Sequence, residues 1–94
     1  MADDSVVKQV TVRNKMGLHA RPAAMIVQTA NKFPCDVHLE KDGQNVNGKS
    51  IMGVLMLAAA QGTNVTVRTE GDQCHEAADA IAELFDKGFN EPIS

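Results

Sequence analysis

The apolar residues of this chain recur at every second position in some stretches and at every third or fourth in others, and the order of those switches limits the folds open to it. Val6, Val10 and Val12 keep a period of two, interrupted by Lys8, which predicts a strand over residues 6–14 with one apolar face and an edge position. From residue 20 to 32 the spacing turns helical, with Ala23, Ile26, Val27 and Ala30 on one stripe and Gln28, Thr29 and Asn31 off it. Pro22 fits only the first turn of that helix, where a missing N–H costs nothing. Phe33 and Pro34 end it, and Cys35, Val37 and Leu39 then alternate with Asp36, His38 and Glu40 as a second strand that points His38 to solvent. The Asp42-Gly43 pair signals a hairpin into a third strand at Gln44–Asn47, whose polarity suits an exposed edge.

Ser50 is placed to cap a second helix running from residue 51 to about 60, with Gly62 as its stop. Val65 and Val67 alternate with Thr66 and Arg68 as a fourth strand, and Glu70, Gly71 and Asp72 make the turn after it. The last helix is expected over about residues 73–87, with Cys74, Ala77, Ala78, Ile81, Leu84 and Phe85 on one stripe. Gly88 suits the position just past that helix, with Phe89 folding back on Leu84. The order β-α-β-β-α-β-α in 94 residues implies a single α+β domain over residues 1–94, a four-stranded sheet with all helices on one side. Two strand orders satisfy that string, the ferredoxin-like one and one with the fourth strand between the first and second. The pattern alone does not choose between them.

A net charge of −3 without clustered Lys or Arg, and three Phe with no Trp or Tyr, argue against nucleic acid as a partner. No apolar run is long enough to span a bilayer, and "MADDSVVKQV" lacks a signal-peptide core, so no membrane insertion is expected and the cytoplasm is the expected compartment. Cys35 and Cys74 match no C-x-x-C pattern and read as reduced thiols in or near the core. His19, His38 and His75 fall on three different elements, which gives no metal site by spacing. There is no Walker A loop or dinucleotide fingerprint, and no cofactor is expected.

His19 stands where the first helix begins, at unpaired backbone N–H groups that carry roughly half a positive charge. That field favours the neutral ring, whose lone pair can attack phosphorus, and the helix amides can then hold the dianion formed. Arg21 adds a planar cationic fork suited to phosphoryl oxygens, and Gly17 lets the backbone turn tightly before the histidine. The competing reading is an exposed histidine that merely starts a helix. An acyl-transfer triad finds no support, since no G-x-S-x-G or catalytic cysteine signature is present.

Residues 51–60, "IMGVLMLAAA", contain no polar side chain. A helix apolar all round is usually buried, but a small domain with one sheet has no second layer to cover its outer side. Val54, Leu57 and Ala58 are expected toward the core, and Ile51, Met52 and Leu55 outward near His19 as an interaction surface. Methionine suits such a surface because its thioether repacks against different partners. His75 reads as a solvated surface residue.

"NKMGLHARPAA" together with "GKSIMGVLML" closely resembles the HPr family of histidine phosphocarriers of the bacterial phosphoenolpyruvate-dependent phosphotransferase system, and the resemblance covers residues 6–89. It implies an open-faced β-sandwich, strand order 1-4-2-3, with three helices on one face. It further implies that His19 accepts a phosphoryl group from enzyme I on Nδ1 and passes it to an EIIA component, with Arg21 stabilising the group. Ser50 matches the regulatory serine of HPr kinase/phosphorylase, and Met16, Ala20, Ala24, Ile51, Met52 and Leu55 match the partner-binding surface. The protein is then a monomeric carrier rather than an enzyme. "NKMGLHARPA" and "ELFDKGFNE" lean toward the nitrogen-related branch (NPr), "GKSIMGV" toward kinase-regulated HPr. The alternatives from another class are a ligand-binding regulatory module or a ferredoxin-like acylphosphatase, and the latter would need an anion-binding loop with a water-positioning Asn that is missing here.

Overall fold

The computed structural model describes residues 4–94. Strands β1 (Ser5–Thr11), β2 (Asp36–Lys41), β3 (Gln44–Asn47) and β4 (Asn64–Glu70) form one antiparallel sheet in the order β1-β4-β2-β3. Helices α1 (Ala20–Ala30), α2 (Ile51–Met56) and α3 (Cys74–Asp86) complete the β-α-β-β-α-β-α order, followed by a 3-10 turn at Gly88–Asn90. The strand order is the one with β4 in the middle: Val10 of β1 pairs with Val65, and Leu39 of β2 pairs with Val67.

Alternation along the strands explains why one face of the sheet carries the helices. Val37, Leu39, Val65 and Val67 are fully buried with Ile26, Ile81, Phe85 and Phe89, while Thr66, Arg68, His38 and Glu40 lie on the other, open face. His38 is half-buried there, opposite Asn47 and Arg68, so it is less solvated than its alternation implied. Thr69 is the buried polar residue of the strands, and its hydroxyl donates to the Cys74 carbonyl at 2.8 Å, which offsets the cost of burying it. Lys8 sits on the edge strand β1 and reaches Asp79 of α3 at 2.9 Å, an exposed pair worth about 0–1 kcal/mol. Cys35 and Cys74 are buried free thiols. Phe89 turns back onto α3, but the ring it meets edge-on is Phe85, with centroids 5.0 Å apart, where the sequence pointed to Leu84.

The largest departure from the sequence reading is α2, which stops at Met56 rather than near residue 60. Ala58 adopts a left-handed φ of 50° and is exposed, against its expected core position, and Ala59 takes the buried place instead. The last carbonyls of the helix are taken by the β2–β3 hairpin: Lys41 Nζ donates to Leu57 O at 2.8 Å and Gln44 Nε2 to Met56 O at 3.4 Å. With these groups capped from outside, the helix needs no Gly62 to stop it. Strand β1 likewise ends at Thr11 rather than residue 14, and α1 at Ala30 rather than 32.

Candidate functional site

Between β1 and α1 the chain makes a tight turn whose geometry aims His19. Gly17 N donates to Asn14 O at 3.2 Å, Leu18 N to Ala59 O at 3.0 Å and His19 N to Gly17 O at 2.9 Å, with Gly17 at a φ of 72°. Leu18 is buried, which anchors the turn to the core. His19 is the residue capping α1, in extended conformation, and its ring makes no capping bond. Pro22 has no N–H and Ala23 N donates to His19 O at 3.0 Å, so the amides of Ala20 and Arg21 remain at the helix opening beside the ring.

The ring is held from the far end of the chain. His19 Nε2 lies 3.0 Å from both carboxylate oxygens of Glu91. Asn14 Nδ2 donates to Glu91 Oε1 at 2.9 Å and also to Gly17 O at 2.8 Å, and Arg21 Nη1 donates to Glu91 Oε2 at 3.3 Å. The Glu91 side chain is only 9% exposed, against 35% for His19 and 58% for Arg21. The bond from His19, with further help from Asn14 and Arg21, outweighs burial and holds the Glu91 carboxyl below the usual carboxylate range. The contact therefore stabilises the fold above the ordinary carboxylate range and is lost as acid protonates Glu91 at its lowered value. An ionised carboxylate only accepts hydrogen bonds, so the contact calls for a proton on Nε2, and in the neutral ring Nδ1 is then the nitrogen with the lone pair. Glu91 was not legible as a site residue. No spacing rule ties position 91 to position 19, and the "ELFDKGFNE" ending carries a family resemblance without assigning the glutamate a contact.

The other residues singled out from the sequence fall into place around this centre. Arg21 is exposed beside His19, and with Lys15, Met16, Glu91 and Pro92 it lines a surface hollow. Ser50 caps α2, its Oγ accepting from Gly53 N at 3.1 Å, and its residue is half-buried. Met16, Ala20, Ile51 and Met52 are exposed and Ala24 is half-buried, and Met56, which the sequence did not mark, is exposed as well. Leu55 differs from its expected outward position: it is half-buried and packs against the core. His75 is exposed on α3, and neither it nor His38 shares the surroundings of His19. Among the described residues no cluster of His, Cys, Asp and Glu is arranged to hold a metal, and no helix is long and apolar enough to cross a membrane.

Comparison with known proteins bears on the same region. Residues 6–87 match the family described as the PTS HPr component phosphorylation site. The phosphocarrier protein HPr of Xylella fastidiosa is 52% identical over 83 residues, which span 88% of this chain and 93% of the relative. The crystal structure of HPr from Thermoanaerobacter tengcongensis superposes with a TM-score of 0.88 at 45% identity, over 92% of this chain and 97% of that one. An HPr dimer from the same organism superposes with a TM-score of 0.74 at 48% identity, over 87% and 94% of the two chains.

Proposed function

The chain belongs to the HPr family of phosphocarrier proteins, and we propose that it carries a phosphoryl group on His19, taken from enzyme I and passed to an EIIA component. The observation that carries this reading is the bond from Nε2 to Glu91, which leaves Nδ1 as the nucleophile beside the helix-opening amides and Arg21. Nδ1 attacks phosphorus as the bond to the donor breaks, and the phosphoryl oxygens meet the amides of Ala20 and Arg21 and the Arg21 guanidinium. Passing the group on reverses these steps. In this reading the carrier acts as a monomer in the cytoplasm without a cofactor, and Asn14, His19, Arg21 and Glu91 of a single chain complete the site. Incubation with enzyme I and phosphoenolpyruvate, followed by phosphorus and nitrogen NMR, should find one acid-labile phosphoryl group on His19 Nδ1. Attachment at Nε2 would overturn the reading. Which EIIA component then accepts the group decides between the sugar and nitrogen branches.

Met16, Ala20, Ala24, Ile51, Met52 and the partly buried Leu55, with Met56 added, form the docking surface for these partners in this reading. Ser50, beside Ile51 and Met52, is its regulatory site, phosphorylated by HPr kinase/phosphorylase. A phosphate there carries about −1.5 to −2 charges and sits at a helix start, so the fold should survive it. A partner that desolvates Ile51 and Met52 must also desolvate or oppose the phosphate, at about 1–3 kcal/mol, or roughly 5- to 150-fold weaker association with enzyme I. Ser50→Asp should reproduce part of that loss, having less charge. Titrating enzyme I against the three forms, with circular dichroism as a check on folding, measures it; equal affinities would reduce Ser50 to a helix cap.

A further inference from the structure

We propose that Cys35 and Cys74 are an oxidative cross-linking pair: Gly71, which Cys35 faces across the sheet, also carries the turn into Cys74, so that a peroxide can close a disulfide within the chain. The pair lies away from the site of phosphoryl transfer. Helix α1 runs about 16 Å from His19 to its far end at Ala30, and Cys35 follows that far end.

Three elements bring the two thiols to one end of the sheet. The register of β2 on β4 pairs Asp36 with Glu70, and one step further brings Cys35 opposite Gly71. The approach there is close: a Cβ on Gly71 would lie 3.5 Å from Cys35 Cα and 3.6 Å from Cys35 Cβ. Gly71, at a φ of 113°, puts no side chain between Cys35 and the turn that follows β4. That turn delivers Cys74: its N donates to Gly71 O at 3.2 Å and its O accepts from Thr69 Oγ1 at 2.8 Å, so the first residue of α3 is tied to the end of β4 at two points. Residues facing across an antiparallel ladder have Cα atoms about 4.5–5.5 Å apart, and a disulfide spans about 4.4–6.8 Å. With Cys74 bonded to the residue that faces Cys35, the pair stands close to that range. Both side chains are buried in the same core. Burial pushes the Cys35 thiol up, Lys49 opposes this, and the neighbouring Cys74 adds to it.

Reaction begins where the first turn of α3 opens. Asp72 and Gln73 just before it are exposed, and Gln73 holds a left-handed φ of 65°, so this is a weak point from which the buried thiols are reached. Cys35 gives its proton to water and its thiolate attacks one peroxide oxygen; the O–O bond breaks, hydroxide leaves, and Cys35 becomes a sulfenic acid. Cys74, its proton likewise given to water, attacks Cys35 Sγ; the S–S bond forms as the S–O bond breaks and a second hydroxide leaves. The two thiols have lost two electrons, and the peroxide ends as two waters once the hydroxides recover the protons. Because burial keeps Cys35 protonated, oxidation is slow at neutral pH and quickens as the pH rises. The disulfide closes a loop of about 40 residues and fixes the start of β2 to the start of α3. It leaves the turn that aims His19 untouched, so oxidation stabilises the protein without disabling it.

The test treats the wild-type chain with hydrogen peroxide and maps it by mass spectrometry without reduction. A peptide joining Cys35 to Cys74, lighter by two hydrogens, should appear in the monomer, faster at higher pH. Each treated sample is then compared with the same sample after dithiothreitol, which reopens a disulfide but leaves oxidised methionines as they are. The linked form should melt roughly 10–20 °C above the reopened one, and enzyme I should label the two equally. Cys35→Ala and Cys74→Ala, handled in the same way, should show no difference in melting before and after dithiothreitol. Oxidised thiols without the linked peptide, a disulfide between two chains, a linked form that melts no higher, or labelling lost on closure would each overturn the proposal. The peptide map and the melts need no phosphoryl donor, so their outcome is independent of whether His19 carries the phosphoryl group.

Discussion

A His19→Ala variant is expected to take no phosphoryl group from enzyme I and phosphoenolpyruvate, a complete loss of acid-labile label with the fold retained. The ring is 35% exposed and its hydrogen bonds run to Glu91, so removing it deletes the proposed nucleophile without opening a cavity in the core. Neither remaining histidine can replace it. His38 stands on the open face of the sheet, away from any helix start, opposite Asn47 and Arg68. His75 does lie in the first turn of a helix, but Glu76 follows it in that turn and opposes an incoming dianion. Radiolabelled phosphoenolpyruvate and alkaline gels measure the outcome, and persistent acid-labile label on the variant would refute the assignment of His19.

Gly17→Ala should cost about 2–4 kcal/mol of stability, lowering Tm by roughly 10–30 °C, and should slow phosphorylation of His19 as well. Two independent penalties meet at this residue. Its φ of 72° is left-handed, a conformation that costs an L residue about 1–2 kcal/mol. A Cβ there would also stand 2.7 Å from the Ala59 carbonyl oxygen and 3.1 Å from Ala60 Cα, both backbone atoms with no flexible end to yield. Relieving that clash pulls apart the Leu18 N to Ala59 O bond of 3.0 Å, which ties the His19 turn to the segment after α2. Gly43→Ala is the control: its φ of 82° is also left-handed but nothing lies within 4 Å of its Cβ position, so it should pay the conformational cost alone. Urea and thermal melts of the two variants isolate the clash. Equal losses would show that the close approach to Ala59 contributes nothing.

The sequence also held expectations that did not survive at particular residues. Ala58 belongs to a helical stripe by spacing, yet it is an exposed left-handed residue because Lys41 and Gln44 take the carbonyls at which the helix ends. Leu55 lies on the outward side of that stripe by spacing, yet a helix this short packs it partly against the core. Nothing in the apolar run itself reports the polar groups that arrive from β2 and β3 and take the carbonyls at the helix end before Ala58.

What the sequence by itself determined is the chemistry that acts over a few residues. Alternation in Val37 and Leu39 or Val65 and Val67 chose the buried face of the sheet, the stripe of Ala23, Ile26, Val27 and Ala30 chose the buried face of α1, Pro22 placed its first turn and Ser50 its successor's cap. His19 at a helix opening, next to Arg21, followed from the same short range. Only the tertiary structure decided what joins distant residues. Apolar alternation left two strand orders open, which the family motifs resolved by resemblance and the pairing of Leu39 with Val67, β2 against β4, resolves by geometry. The end of α2 depends on Lys41, 16 positions away from Leu57, and the hydrogen bond that holds the His19 ring comes from Glu91, 72 positions away. Bringing such groups together costs loop-closure entropy that no single contact offsets. Burial of the whole core offsets it, so these contacts exist only once the fold does, and a local pattern cannot announce them.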